Sequence, residues 1–260
     1  MAQRLHTTTT GTRGPRIAFL HGLFGQGKNW TQIAKALAGD YRPTLIDLPN
    51  HGQSPWSDEF SYRAMVLAVA NELRAIDPDE PWIVLGHSMG GKVAMLLALE
   101  HPELVQRLIV VDMSPVDYGG LTSFNDYVEG MLALDLDQVA SRADADRLAT
   151  AWVPEAGTRA FLLQNLRRTD DGWRWQVNLD LLGRSLQLLG GWPTDVDAAP
   201  FEGPTLWVAG GDSNYVRPDY AKVMRELFPR VRLVTIKGVG HWPHSQAPEV
   251  FLSTIRPFLG

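Results

Sequence analysis

Ser88 lies in Gly86-His87-Ser88-Met89-Gly90, between the apolar run Trp82-Ile83-Val84-Leu85 and the helix former Val93-Ala94-Met95-Leu96-Leu97-Ala98-Leu99. That is G-x-S-x-G with a strand before it and a helix after it, the context that gives the pattern chemical meaning. A serine on such a turn is lifted out of the sheet and set near the positive end of the helix dipole. A side chain at Gly86 or Gly90 would collide with neighbouring backbone, so the small residues have a steric purpose. The chemistry implied is acyl transfer with Ser88 as nucleophile. G-x-S-x-G also arises by chance, so the chain must supply a base, an acid and an oxyanion hole.

An alcohol is a poor nucleophile at neutral pH and needs a base that takes its proton as the bond forms. In enzymes with this elbow the partners follow in the order serine, acid, histidine, with histidine in the loop after the last strand. His241, in Gly238-Val239-Gly240-His241-Trp242, occupies that slot. His244 is its nearest competitor but lacks the preceding glycine. The acid is open between two aspartates. In the loop Gly210-Gly211-Asp212-Ser213-Asn214-Tyr215, the usual spacing puts Ser213 where the carboxylate belongs. Asp112, ending what reads as the sixth strand, also lies near the elbow; it is preferred, with Asp212 in reserve and Asp117 third. The oxyanion donors are expected to be the backbone N–H groups of Met89 and Leu23, with Phe24 able to replace Leu23. His21, His51 and His87 are expected to hold loops.

The elements that must position these groups alternate. Arg16–Leu20, Pro43–Leu48, Trp82–Leu85, Leu108–Asp112, Thr205–Ala209 and Val231–Ile236 read as strands, and Arg4–Thr10 as an edge strand or loose segment. Asn29–Ala38, Ser61–Ile76, Pro218–Leu227 and Pro248–Leu259 read as helices between and after them. The strands are continuously apolar, which suits a parallel sheet covered on both faces. The pattern predicts a doubly wound α/β fold. Between about Asp117 and Pro200 the rhythm gives way to helix-like segments at 124–134, 136–149, 159–166 and 179–189, with one possible short strand at Trp173–Val177. Residues 117–200 are therefore expected to form a helical cap inserted into a core of residues 1–116 and 201–260. Phe24, Phe124, Tyr127, Leu163, Trp173, Leu182, Leu186, Trp192 and Trp242 are the expected pocket lining.

Composition narrows the function classes. The 260 residues are 45% apolar and 20% charged, ordinary for a single globular domain with an insertion. A net charge of −5 gives no basic footprint for nucleic acid. The absence of cysteine excludes disulfides, thiolate metal sites and a cysteine nucleophile. The first residues lack the apolar stretch of a signal peptide, and no apolar run is long enough to span a bilayer, so a cytoplasmic protein is expected. Gly22-x-x-x-x-Gly27-Lys28 and Gly86-x-x-x-x-Gly91-Lys92 imitate a phosphate loop. Asn29 and Val93, however, replace the hydroxyl residue that would bind Mg²⁺. His241-x-x-His244 has the wrong spacing for a metallohydrolase, so no metal is expected.

These motifs carry a resemblance. His21-Gly22-Leu23-Phe24-Gly25, Asn50-His51-Gly52-Gln53-Ser54-Pro55, Gly86–Lys92 and Asp112-Met113-Ser114-Pro115-Val116-Asp117-Tyr118 resemble the YbfF-type esterases of the α/β-hydrolase superfamily. So do Gly210–Val216 and Gly240-His241-Trp242-Pro243-His244, whereas the cap matches only around Gly172–Trp175. The resemblance implies an α/β-hydrolase fold and hydrolysis of carboxylic esters or thioesters, acyl-CoA-like ones included, with no cofactor. It implies that the acid follows the sixth strand, at Asp112. This chain departs from the family in carrying aspartate at 212, where asparagine is common, which keeps Asp212 open. A perhydrolase or haloperoxidase on the same triad and a non-catalytic small-molecule receptor are the alternatives.

Overall fold

The computed structural model describes residues 3–119, 124–194, 196 and 198–260. Part of the expected N-terminal segment (1–2) and of the expected cap (120–123, 195 and 197) lies outside the described residues. The main sheet has seven strands in the order β1-β3-β2-β4-β5-β8-β9. These are β1 Thr7–Thr9, β2 Arg16–Leu20, β3 Arg42–Ile46, β4 Trp82–His87, β5 Val105–Val111, β8 Thr205–Gly210 and β9 Val231–Ile236. Only β1 runs antiparallel, against β3. Because the N-terminal segment adds a single strand, Asp112 follows the fifth strand of the sheet, not the sixth. By the same count Asp212 follows the sixth.

Continuous apolar strands become two cores because successive side chains leave opposite faces. Ala18, Leu20, Val84 and Val110 pack against α2 (Tyr62–Ile76) and α3 (Met89–Glu100). Ile17, Phe19, Ile83, Leu85 and Ile109 pack on the other face against α1 (Thr31–Leu37) and α11 (Pro248–Leu259). Helix α2 begins where Ser61 caps it, its hydroxyl accepting from the Ala64 N–H, and buries Met65, Val66, Val69 and Leu73.

The described residues between β5 and β8 include five α-helices and a hairpin: α4 Asn125–Ala133, α5 Arg142–Ala149, α6 Ala156–Leu163, β6 Leu166–Thr169, β7 Gly172–Trp175, α7 Leu179–Arg184 and α8 Leu186–Gly190. The sequence pattern misses β6, because Leu166 continues the helical spacing of Leu162 and Leu163. The Asp170-Asp171-Gly172 turn, with Gly172 at φ +112°, folds that segment back onto β7 instead. Ser185 divides the expected 179–189 helix in two.

Lys92 fastens this insertion to α3. Its buried ammonium donates to the carbonyls of Gly190 (2.6 Å) and Gly191 (2.5 Å) beside the rings of Tyr62 and Tyr118. Burial lowers its pKa to about 7. Both lysines of the two phosphate-loop look-alikes thus meet carbonyls: Lys92 here, and Lys28 at Gln164 (3.4 Å).

Histidines hold the loops at the carboxyl edge of the sheet. His21 donates from Nδ1 to the Gly22 carbonyl (2.8 Å) and accepts the Leu48 N–H (2.9 Å). His51 donates to Pro49 O (3.0 Å) and accepts the Phe24 N–H (3.3 Å). His87 donates from Nε2 to the His241 carbonyl (2.7 Å), tying the last loop to the elbow. His244 is sandwiched against Trp30, ring centroids 4.1 Å apart, and its Nδ1 has no partner among the described residues. Burial lowers the pKa of His21 to about 4 and of His51 and His244 to about 3, and holds that of His87 well below the ordinary imidazole range.

Two outcomes follow from this packing. A Cβ at Gly90 would stand 2.5 Å from the carbonyl oxygens of both Leu20 and His21. Gly90→Ala should therefore cost about 3 kcal/mol, read as a lower urea midpoint at unchanged slope. The buried histidines stay neutral when the unfolded chain, with pKa values near 6.5, takes up protons. Unfolding free energy should fall as pH drops from about 6.5 towards 3–4, by about 1.4 kcal/mol per pH unit for each such histidine. His244→Phe keeps the ring stack and should flatten that slope, measured by denaturation at pH 7 and pH 4.

Candidate active site

The elbow has the geometry its glycines require. Ser88 sits between β4 and α3 at φ 53°, ψ −121°, a strained region for a residue with a side chain. A Cβ at Gly86 would lie 2.1 Å from Gly90 O, so strand and helix approach more closely than any other residue allows. Ser88 N–H is bonded to Val111 O (3.2 Å) in the neighbouring strand's end, which holds the turn.

His241, from the loop after β9, spans the other two groups. Its Nε2 lies 2.9 Å from Ser88 Oγ and its Nδ1 2.8 Å from Asp112 Oδ2. The ring is stacked on Tyr215 at 4.1 Å between centroids, and its backbone carbonyl is held by His87. With Nδ1–H donating to the carboxylate, Nε2 is left to accept the serine proton. Imidazole, hydroxyl and carboxylate therefore form one continuous hydrogen-bonded chain.

Asp112 is fully buried and sits at φ 48° on the turn after β5. Besides His241 it accepts from the Gly210 N–H (2.9 Å, on Oδ1) and from the Ser213 hydroxyl (on Oδ2). Asp212 is exposed, and its N–H is bonded to Val239 O (2.9 Å). Ser213 thus occupies the position read for a carboxylate and hydrogen-bonds the carboxylate that arrives from the adjacent strand. Asp117 lies on the other side, near Lys92.

The loop after β2 completes the site. Gly22 touches the elbow: a Cβ there would meet the Ser88 Cβ at 3.1 Å and the His87 ring at 3.0 Å. Phe24 N–H is already taken, donating to His51 Nε2 (3.3 Å). Buried Asn165, between α6 and β6, braces this loop by donating to Phe24 O (2.7 Å) and accepting from Gln26 (2.8 Å).

The cavity beside Ser88 is small, about 30 Å³, room for one or two waters. Of the expected lining residues, Phe124 and Trp242 border it; Leu23, Trp30, Phe161 and His244 do so as well. Phe24 and Tyr127 pack against Phe124, with centroids 6.0 and 5.8 Å away. Leu182 and Leu186 belong to the main core, and Leu163 and Trp173 to the inserted segment's own core. Trp192 borders a separate groove near Tyr62. Phe161, Asn165 and the stacking role of Trp30 carry no sequence signal, since an isolated aromatic or amide reads as packing; Tyr215 belongs to the Gly210–Val216 motif, but its stacking on His241 was not read from it. Among the described residues, no group of three metal-ligating side chains is arranged to hold an ion, and no helix is long and apolar enough to cross a membrane.

Comparison with known proteins agrees with this geometry. The alpha/beta hydrolase fold family profile matches residues 15–248. The chain is 39% identical to the mouse sn-1-specific diacylglycerol lipase ABHD11, over 94% of this chain and 81% of that one. It is 30% identical to esterase YbfF of Escherichia coli, over 98% of this chain and 97% of the relative. Among solved structures, a marine microorganism esterase superposes with a TM-score of 0.95 at 31% identity, covering 99% of this chain and 100% of the other. A hydrogen-bonded serine–histidine–carboxylate chain on a seven-stranded sheet, and relatives that are esterases and lipases across nearly the full length, lead to one conclusion: the chain belongs to the alpha/beta hydrolase fold family and is a hydrolase.

Proposed function

We propose that the protein is a serine esterase acting through an acyl-serine intermediate, with Ser88 as nucleophile, His241 as base and Asp112 as acid. The observation that carries this reading is the single hydrogen-bonded line Ser88–His241–Asp112. His241 takes the Ser88 proton as Oγ attacks the acyl carbonyl, and the N–H groups of Leu23 and Met89 hold the oxyanion. His241 then protonates the departing alcohol or thiol. Water, deprotonated by His241, attacks the acyl-serine and releases the acid and Ser88. Asp112 keeps the imidazole in its Nδ1–H tautomer and stabilises the imidazolium. The reaction needs no cofactor.

The substrate is a small-molecule ester or thioester. The 117–200 segment acts as the cap, its Phe124 and Phe161 roofing the cavity opposite Trp242. At about 30 Å³ the cavity excludes an acyl chain until these rings move, so the cap sets chain-length preference. The diacylglycerol lipase among the relatives brings diacylglycerols into the range to be tested.

Ser88→Ala should lower kcat/KM for p-nitrophenyl esters at least about 10⁴-fold, and Asp112→Asn by about 10³–10⁴, with the fold retained by circular dichroism. Asp212→Asn should stay near wild type; the opposite ranking of the two aspartates would overturn the assignment. Ser213→Ala should cost about tenfold, through a less firmly held Asp112. A p-nitrophenyl series from acetate to palmitate, run on wild type and Phe161→Ala, should show the variant gaining on the longer chains.

A further inference from the structure

The cap hairpin carries two arginines that the ester chemistry does not use. Antiparallel pairing places Arg167 directly opposite Arg174, so both side chains project from the same face. The register is imposed by the other face, where Leu166, Trp173 and Trp175 pack into the cap core. Like charges facing one another across a strand pair oppose the pairing. Among the described residues neither guanidinium is paired with a carboxylate, those of Asp170 and Asp171 in the hairpin turn included.

The contrast with the other arginines between 117 and 200 is sharp. Arg142 donates to Leu163 O and Leu166 O, and Arg159 pairs with Asp146. Arg147 pairs with Asp144, Arg168 reaches Ala140 O and the face of Trp173, and Arg184 donates to Asp58 O. Among the described residues only Arg167 and Arg174 of this segment have no acceptor. Both open onto a cleft of about 490 Å³ between the hairpin and the Gly52–Trp56 loop. Its remaining walls include Gln53, Ser54, Trp56 and Gln176, and no carboxylate. Lys28 adds to the positive field from the adjoining loop. Its pKa is lowered, first by burial and then by Arg142, with Asp47 opposing and Arg167 adding a smaller lowering.

A protein with a net charge of −5 thus keeps two unneutralised guanidinium groups together at one concave place. Paired guanidinium forks match the oxygens of phosphate in geometry and charge. We propose that this cleft binds the phosphate or diphosphate group of a small metabolite, bridged by Arg167 and Arg174. The cleft shares no lining residue with the cavity at Ser88, so it is a site separate from that of the ester. Its base adjoins the catalytic loops: Asn165 braces Phe24, and Val177, beyond β7, pairs with His51.

The test is calorimetric titration of the full-length protein with inorganic pyrophosphate, against sodium chloride of equal ionic strength. Saturable one-to-one binding is expected for wild type, at least tenfold weaker in Arg167→Ala/Arg174→Ala and lost in Arg174→Glu. Arg174→Glu should also raise the melting temperature, because an opposed Arg–Glu pair replaces the repulsion. Hydrolysis of p-nitrophenyl acetate should be unchanged in both variants, which shows that they fold. No saturable heat at millimolar pyrophosphate, or equal binding by the double variant, would overturn the proposal.

Discussion

Among the described residues, four other than glycine are held at positive φ: Phe24, Asn50, Ser88 and Asp112. They follow β2, β3, β4 and β5, so each of four consecutive parallel strands ends in one strained turn at the same edge of the sheet. Such conformations cost about 1–3 kcal/mol each and persist only where the surroundings leave no alternative. Here the surroundings are a sheet buried on both faces and backbone bonds that cross to the next strand. Ser88 is bonded to Val111 O (3.2 Å) and Asp112 to Val208 O (2.9 Å). The reactive edge is therefore rigid because the sheet beneath it is rigid, and Ser88, His241 and Asp112 meet without needing to move.

That rigidity extends outwards through neutral histidines. An imidazole that donates from one nitrogen and accepts at the other joins two loops at once, provided it stays uncharged. His21 and His51 do this for the loops after β2 and β3, and His87 clamps the carbonyl of His241. The inserted segment is secured by a different device. Lys92 stands one helical turn beyond Ser88 and grips the end of α8, while Asn165 grips the loop carrying Leu23. Buried polar contacts thus link the inserted segment to α3 and to the loop after β2, and Phe124 and Phe161 line the cavity beside Ser88.

Much of this was legible in the chain. Gly86, Ser88 and Gly90 announce the elbow because only glycine survives where a Cβ would meet backbone at 2.1–2.5 Å. Continuous apolar runs announce buried parallel strands, and His241 after the last of them announces the base. Spacing favoured Asp112 over Asp212 but left the second in reserve, since both are aspartates on turns at the same edge. One is fully buried against Gly210, Ser213 and His241; the other is exposed. The pocket lining was read less well. Trp173, Leu182 and Leu186 have the composition of a wall but fill cores, and Phe161, which does line the cavity, has nothing local to mark it.

Local chemistry by itself determined the fold class, the elbow and the choice of Ser88 and His241 as candidates, because glycine tolerance, apolar periodicity and strand-end position act within a few residues. The tertiary structure decided which carboxylate meets His241, what Ser213 does for it, which rings enclose the cavity and that Arg167 and Arg174 share a cleft. Each of these depends on a pairing register or on packing between segments distant in the chain. A side chain's type does not say which distant partner the folded backbone will bring to it.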